Sequence, residues 1–369
     1  MNRLFRWDQM GLFLLALAAG ILPFAVPEVC AAALREGLTL CSGPLLLSLF
    51  PFLVVSRLLI QCPESDLLAL PFRLAAWGIG IRTPCAARVL CIGFLGGFAP
   101  AASAAAQAVR TGQLTAKEAD AMLPACICSG PSFVVLTVGQ SLLGSAELGV
   151  LLFAAQITAN YLTAALLNRF AGVRSVKPGS AAPASPAPPR LDEILADAAI
   201  TYCKLCGFIL FFRMLAAGAG ALLPAGAGTL CSILLEVCSG CDLASRTGRW
   251  GSLLCCAALS VQGLSVLLQV RTICPPEMTL RPLYRARMLH LPLSLALFYL
   301  LLPGGEADVF STLPARVPLM RRVPPDCALL VFAVCCMAAC TLRSGIRQVE
   351  QKQMARNAGG CCINSKTLL

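Results

Sequence analysis

The sequence predicts an all-α, polytopic membrane protein made of two related halves, each with Gly-broken helical hairpins for which a re-entrant path is one interpretation. Three observations predict this class. Of the 369 residues, 58% are hydrophobic and only 13% are charged, about half the charged fraction of a soluble domain. The mean hydropathy is +0.79, and several apolar runs approach the roughly 20 residues that span a bilayer. A similar order of broken apolar arms also occurs twice along the chain.

The N-terminal membrane half is predicted over residues 1–170. Arg3 and Arg6 precede its first apolar run, a pattern shared by signal peptides and by uncleaved first helices with cytoplasmic bases. The later spans favour the uncleaved helix. Segments predicted to cross the membrane are Gly11–Leu34, Leu38–Ile60 and Leu148–Leu167, and the shorter Leu67–Ile81, interrupted by Pro71, is predicted to lie along the interface.

Two further apolar arms in this half, Val89–Val109 and Ala125–Leu143, flank the polar stretch "LTAKEADAML". Thr115 and Glu118 in that stretch stand at the spacing of a capping box, with Leu114 placed as a hydrophobic staple. The spacing predicts a short amphipathic helix at the membrane surface that joins the two arms.

Residues 171–190 form a linker rich in Pro, Ala and Ser, which predicts a flexible or polyproline tether. The C-terminal membrane half is predicted over 191–342. A basic tail over 343–369 favours a cytoplasmic C-terminus, and the expected location of the protein is the cell membrane. Apolar segments predicted in this half are Leu195–Leu223, Leu230–Val237, Leu253–Val270, His290–Leu302 and Cys327–Leu342.

An internal repeat relates the halves, the first copy covering about 84–168 and the second about 225–302. In each copy a Gly-broken arm leads to a basic turn and then to a second arm with a Gly-centred polar break. Broken backbone at membrane depth survives only where protein or a water-filled cavity supplies hydrogen-bond partners. Matched breaks in two halves therefore indicate a transporter-like site, although close helix packing alone also selects small residues. The two breaks are Ser129-Gly130-Pro131-Ser132 and Gln262-Gly263-Leu264-Ser265.

One carboxylate stands out, because Glu236 is the only charged residue between Arg213 and Asp242. A carboxylate at membrane depth is costly and normally faces a cavity or a partner. Two interpretations stay open: a group that couples a cation or a proton, and a structural ion pair with Arg213 or Arg57.

Other chemistry is not indicated. The net charge of +11 is spread over short segments, unlike a nucleic-acid-binding patch. Most of the 21 cysteines lie in apolar runs and are interpreted as small apolar residues. Metal sites usually need converging Cys and His ligands, and the only histidine is His290, so neither a metal, a cofactor nor a catalytic triad is predicted. A thiol-exchange enzyme using Cys203 and Cys206 is the weakest alternative, and the chain is predicted not to be an enzyme.

The segments "VRTGQLTAKEADAML", "SGPSF", "LLEVCSG" and "GLSVLLQV", in this order, resemble the nucleoside-recognition, or Gate, domain family, and within it the YlbJ-type sporulation integral membrane proteins. The resemblance implies a polytopic membrane protein needed to form resistant spores, with a gate similar to that of nucleoside transporters. By position it assigns the family's acidic residue to Glu236 and its following glycine to Gly240. It also assigns the small polar turn to Ser129, Gly130 and Pro131, and the second-half pattern to Gly263, Ser265 and Gln269.

The expected function is a transporter or permease for a small solute, nucleoside-like or other, with a coupling cation or proton. A membrane scaffold that recruits partners during spore assembly is the alternative, favoured by the few polar groups in the first arm. Expected partners are the lipid bilayer and sporulation membrane proteins or further copies of the chain, and not nucleic acid. The candidate binding residues are Glu236, Gly240, Ser129, Gly130, Pro131, Ser132, Gln262, Gly263, Ser265 and Gln269, and the candidate gate glycines are Gly96 and Gly97.

Overall fold

The computed structural model describes residues 2–61, 63–172 and 190–302, and every regular element in these ranges is a helix. Residues 173–189 of the predicted linker, the segment Cys327–Leu342 and the basic tail lie outside the described residues. The helices before the linker are α1 (Asn2–Ala25), α2 (Pro27–Ser42), α3 (Pro44–Gln61), α4 (Leu70–Gly78), α5 (Pro84–Gly96), α6 (Phe98–Arg110), α7 (Ala116–Cys126) and α8 (Ala146–Phe170), with a 3₁₀ turn at Pro63–Asp66 and a π-helix at Ser132–Leu142.

After the linker come α9 (Leu191–Leu222), α10 (Ala225–Leu235), α11 (Val237–Ser245), α12 (Gly251–Val261), α13 (Gly263–Ile273) and α14 (Arg281–Leu301), with a 3₁₀ turn at Gly248–Trp250. Within the described ranges, three helical segments are long and apolar enough to cross a membrane: Ala146–Phe170, Leu191–Leu222 and Gly248–Ile273. A fourth is added if the bent pair Phe13–Ala25 and Pro27–Ser42 crosses together. The described part of the chain is therefore an all-helical protein with the character of a membrane protein.

The surface of α8 shows why this helix suits a bilayer. Its buried face carries the polar residues Gln156, Asn160 and Thr163, while the large apolar side chains of Leu162 and Leu166 are exposed. A soluble helix has the opposite arrangement. Polar side chains that face the bundle interior and apolar ones that face outwards are expected of a helix surrounded by lipid.

The first predicted span is not one continuous helix, because the chain bends by 110° between Phe13–Ala25 and Pro27–Ser42. Val26 separates the two helices with non-helical dihedrals, and Pro27 begins α2. Proline is well suited to the first position of a helix but interrupts a continuous one, since it has no N–H and its ring clashes with the preceding turn. The apolar run Gly11–Leu34 is therefore two helices.

The capping box of "LTAKEADAML" is present: Thr115 Oγ1 accepts from Glu118 N, and Glu118 Oε2 accepts from Thr115 N. The predicted position at the membrane surface is wrong, because every residue from Glu118 to Cys126 is buried. The helix packs against α5, α6, α8 and α14, so it is an internal element. Its buried Asp120 accepts hydrogen bonds from Thr279 N at 2.8 Å and Leu280 N at 3.2 Å, which fixes the loop before α14.

The predicted segment His290–Leu302 begins nine residues too late, since α14 starts at Arg281. Leu280 caps this start with a positive φ of 56°, a conformation that Asp120 stabilises through the Leu280 N–H. His290 consequently lies inside the helix and is buried, as is Arg287 one turn before it. The charged residues at 281–287 belong to the helix.

Candidate functional site

Four interruptions of the helical backbone define the site. Gly97, with φ of 81°, separates α5 from α6, and residues 127–131 separate α7 from the π-helix. Glu236, with extended dihedrals of −150° and 127°, separates α10 from α11. Gln262 and Gly263, both left-handed at φ of 61° and 68°, separate α12 from α13. Each interruption leaves carbonyl and N–H groups outside a regular helix, and these groups need other partners.

The first two breaks touch each other. A Cβ on Gly97 would lie 2.7 Å from Gly130 N and 3.3 Å from Cys128 O, closer than side-chain carbons approach backbone. Glycine is therefore required at position 97 both by its positive φ and by the approach of the second chain segment. The predicted gate residue Gly97 and the predicted turn residue Gly130 are in direct contact. Gly96 is close as well, since a Cβ added to Gly130 would lie 3.5 Å from Gly96 O.

The other two breaks touch in a similar way. A Cβ on Gly263 would lie 2.9 Å from Glu236 N and 2.9 Å from Leu235 O. Adding a side chain there would displace the backbone at the end of α10, and the left-handed φ would be strained as well. Glu236 and Gly263, predicted separately from sequence, thus share one contact.

A carbonyl freed by the second break connects the two pairs. Gln262 Nε2 donates to Ile127 O at 3.4 Å, and Arg287 Nη2 donates to the same oxygen. Arg287 Nη1 also donates to Ser260 O at 3.3 Å. Gln262 is 1% exposed and Arg287 7% exposed, so the second and fourth breaks meet at a buried polar centre. The contacts of Gly97 with Gly130 and of Gly263 with Glu236 link the other two breaks to it.

Helix dipoles explain how the buried charge of Arg287 persists there. Ile127 O and Ser260 O lie at the C-terminal ends of α7 and α12, and both accept from Arg287. Helix C-termini carry a partial negative charge that favours a cation. Among the described residues, Arg287 has no carboxylate partner, and the two helix ends take that place.

Glu236 is explained by the opposite end of a helix. Glu236 is 2% exposed and caps α11: its Oε1 accepts from Cys238 N at 2.9 Å and its Oε2 from Ser239 N at 2.7 Å. The positive end of the helix stabilises the carboxylate. The carboxylate therefore holds the turn between α10 and α11.

The ion pairs suggested for Glu236 are not formed. Arg213 donates to Glu36 at 2.7 Å, and Arg57 pairs with Asp197. These pairs tie α9 to α2 and α3, and they give each arginine within an apolar run a carboxylate partner.

Several buried polar atoms have no hydrogen-bond partner among the described residues. They include Oε1 of Gln262, both side-chain atoms of Asn160, and Nδ1 of His290. His290 Nε2 meets Gln156 O at 3.2 Å. Buried polar groups in native proteins are nearly always satisfied by protein, water or ligand, so these atoms indicate a wet or ligand-binding interior.

Some of the remaining predicted residues lie beside this centre, and others lie away from it. Ser129 is buried next to Gly130, and Pro131 and Ser132 begin the π-helix. Gly240 allows α11 to pack on α10, since its Cβ would lie 2.8 Å from Ile233 Cα. Ser265 accepts from Gln269 Nε2 at 2.9 Å. Gln269 itself lies six residues, or about 9 Å of helix, from the break at Gly263.

Sequence reasoning missed Arg287, Asn160 and Asp120. Arg287, His290 and Ser294 are spaced by three and four residues and are all buried, the pattern of one polar helix face. A helix start placed at Arg281 would have revealed that face. Asn160 follows Gln156 by four residues in a run predicted as a span, which was the available signal for it.

The cysteines show no metal-binding arrangement in the described ranges, where no group of three or more His, Cys, Asp or Glu residues could hold a metal ion. Cys203 is exposed and Cys206 partly exposed, while Cys241, Cys255 and Cys256 are buried. Each of the 14 cysteines assigned in this part of the chain is a free thiol.

Comparison of the chain with protein-family models, with curated proteins and with solved structures finds no match to any of them.

Proposed function

We propose that the chain is a transporter-like integral membrane protein that binds a small polar solute where its four helix breaks meet. The observation that carries this proposal is the buried polar centre at Ile127 O, reached by Gln262 from one break and by Arg287 from α14. Broken helices whose free backbone groups line a common interior are how repeat-built transporters bind a solute at mid-membrane.

The proposed architecture is two related halves of inverted orientation. In the first, α5 and α6 fold back on each other, since a Cβ on Gly93 would lie 3.2 Å from Ala101 Cβ. In the second, α10 and α11 do the same through Gly240 and Ile233. We assign these two pairs as re-entrant hairpins, and α7 with the π-helix and α12 with α13 as broken spans.

Packing between the halves supports the inverted assignment. After its break α6 packs against α13, and the π-helix packs against α11. Thus α6, the second helix of the first hairpin, lies beside α13, the second helix of the broken span in the other half. In the same way α11, the second helix of the other hairpin, lies beside the π-helix. In an inverted repeat this pairing places two arms on each side of the central breaks.

The solute proposed for this centre presents hydrogen-bond acceptors to Arg287 and both donors and acceptors to Gln262. Glu236 uses one lone pair of each oxygen for the cap, and a carboxylate has about four lone-pair sites. We propose that the remaining ones serve a coupling cation or proton. We also propose a location in the cell membrane with a cytoplasmic C-terminus, which the basic tail supports. A part in forming resistant spores is supported by the resemblance to the sporulation proteins.

A non-transporting scaffold is the second candidate. The observation that favours it is the closed state of the breaks: both oxygens of Glu236 accept backbone N–H groups, and Gln262 binds Ile127 O. In that case the breaks would serve only to fix the packing of the helices, and the surface would serve partners in spore assembly.

A solute screen by thermal stability separates the two. The purified chain is melted with nucleosides, nucleotides, amino acids and organic anions, because a ligand at 100 times its Kd stabilises by about 2.7 kcal/mol. The variant Gln262→Ala removes a side chain of the centre, and Gln140→Ala removes an exposed one on the π-helix. A solute that stabilises the wild type and Gln140→Ala but not Gln262→Ala supports transport. Absence of stabilisation by every solute, with all three proteins folded, supports the scaffold.

A further inference from the structure

A polar cavity lies apart from the helix breaks. It has a volume of about 150 Å³ and is bounded by parts of α3, α6, α9 and α13. Arg110 and Ile273, the last residues of α6 and α13, line it, so it lies at the end of the bundle opposite to the breaks from which these helices start. A water molecule takes up about 30 Å³ of liquid, so the cavity is large enough for a phosphate-sized group.

The charges around this cavity do not balance. Three cationic side chains line it, Arg57, Arg110 and Lys204, against the single carboxylate of Asp197. Asp197 is paired with Arg57. Among the described residues, Arg110 and Lys204 form no ion pair. The cavity therefore presents two uncompensated positive charges, which favour an anionic occupant.

Neutral polar groups complete the lining. Ser103, Thr201, Thr272 and Gln269 also line the cavity. Gln269 is 2% exposed, and its Oε1 is buried without a hydrogen-bond partner in the described part of the chain. Arg57 Nε is likewise buried without a partner there. The residues around the cavity thus include one unsatisfied donor, Arg57 Nε, and one unsatisfied acceptor, Gln269 Oε1.

We propose that this cavity binds a phosphate group that carries or adjoins a hydroxyl, independently of the solute site at the breaks. The anionic oxygens accept from Arg110 and Lys204, and the hydroxyl donates to Gln269 Oε1. Basic pockets between membrane helices bind phospholipid head groups in this way. The same chemistry is offered by an anionic glycerol-bearing head group and by inorganic phosphate.

The proposal gives Gln269 a role that the helix-break site does not. Gln269 was predicted as a solute residue, but it is held by Ser265 on α13 and faces the basic cavity. Binding at this end ties α6 and α13, from the two halves, to α9, which follows the linker. The expected effect of an occupant is stabilisation of the assembled bundle.

The test compares the wild type with the double variant Arg110→Gln/Lys204→Gln and with the control Lys117→Gln. Arg110, Lys204 and Lys117 are exposed, so folding should be unaffected in all three proteins, and size-exclusion chromatography checks this. Binding of phosphatidylglycerol and of phosphatidylcholine is measured by native mass spectrometry. Melting temperatures are measured with and without inorganic phosphate.

For a lipid occupant, phosphatidylglycerol binds the wild type and Lys117→Gln better than phosphatidylcholine does. At about 1 kcal/mol for each basic residue, the double variant should then bind it about 30-fold more weakly. For free phosphate, inorganic phosphate raises the melting temperature of the wild type and of the control but not of the double variant. Equal phosphatidylglycerol binding by all three proteins, with no selective phosphate effect, overturns the proposal. Gln262→Ala should leave both readouts unchanged, which separates this test from that of the proposed function.

Discussion

Replacing Glu236 tests whether the carboxylate holds the turn between α10 and α11. Hydrogen bonds to a charged group contribute about 1.5–3 kcal/mol each, and Glu236 accepts two, from Cys238 N and Ser239 N. Glu236→Ala leaves both N–H groups buried without an acceptor and should lower the free energy of unfolding by about 3–6 kcal/mol. Glu236→Gln keeps one acceptor oxygen but turns an amide NH₂ towards the other N–H, so a loss of about 2 kcal/mol is expected.

The buried cysteines provide the assay. Cys255 and Cys256 are 0% exposed, whereas Cys203 is exposed. The increase in labelling by a thiol-reactive fluorogenic maleimide above the level of the folded chain therefore reports unfolding. At about 2 °C for each kcal/mol, Glu236→Ala should melt roughly 6–12 °C below the wild type and Glu236→Gln roughly 4 °C below it.

The matched control is Glu147, a glutamate in the first turn of α8 that is exposed. Its interaction with the helix dipole amounts to about 0.3–1 kcal/mol, so Glu147→Ala should shift the melting temperature by no more than about 2 °C. The capping role of Glu236 is refuted if Glu236→Ala melts no lower than Glu147→Ala.

Three further predictions follow from the same contacts. Gly263→Ala should lower the melting temperature, because φ is 68° and the new Cβ would meet Glu236 N at 2.9 Å. The control is Gly207→Ala on α9, whose new Cβ meets nothing within 4 Å, so this variant should be neutral or stabilising. Equal melting temperatures would contradict the contact between the breaks. Asp120→Asn should cost about 2 kcal/mol and speed amide hydrogen exchange at Thr279, whose N–H it binds; unchanged exchange would contradict the bond. Arg287→Gln should destabilise the chain by about 3 kcal/mol, because Ile127 O and Ser260 O lose a buried donor. The same variant should abolish the stabilisation by solute. A melting temperature and solute response like those of the wild type would exclude Arg287 from the centre.

Long uninterrupted apolar helices were predictable from sequence. The segments Leu148–Leu167 and Leu195–Leu223 correspond to α8 and α9, whose ends differ from them by at most four residues. The Gly-centred breaks at 129–132 and 262–265 also fall on interruptions of the helices. Hydropathy and glycine are local properties of the chain, so one sequence is sufficient to read them.

The pairing of buried charges was not predictable. Arg287 binds carbonyls 160 and 27 residues away in sequence, and Asp120 binds a loop 159 residues away. Charged side chains in these stretches look like surface segments, because no local pattern shows that helix ends from elsewhere will surround them. Glu236 was recognised as unusual for the right reason, but its partners proved to be backbone N–H groups two and three residues later rather than arginines.

The most direct test of the central claim is an electron cryomicroscopy map of the full chain in lipid nanodiscs, at a resolution that shows side chains. The account predicts interrupted helices at Gly97, 127–131, Glu236 and Gln262–Gly263, with Gln262 and Arg287 both directed at Ile127 O. Uninterrupted helices through 116–142 and 251–273, or breaks that lie apart with Arg287 facing lipid, would contradict it.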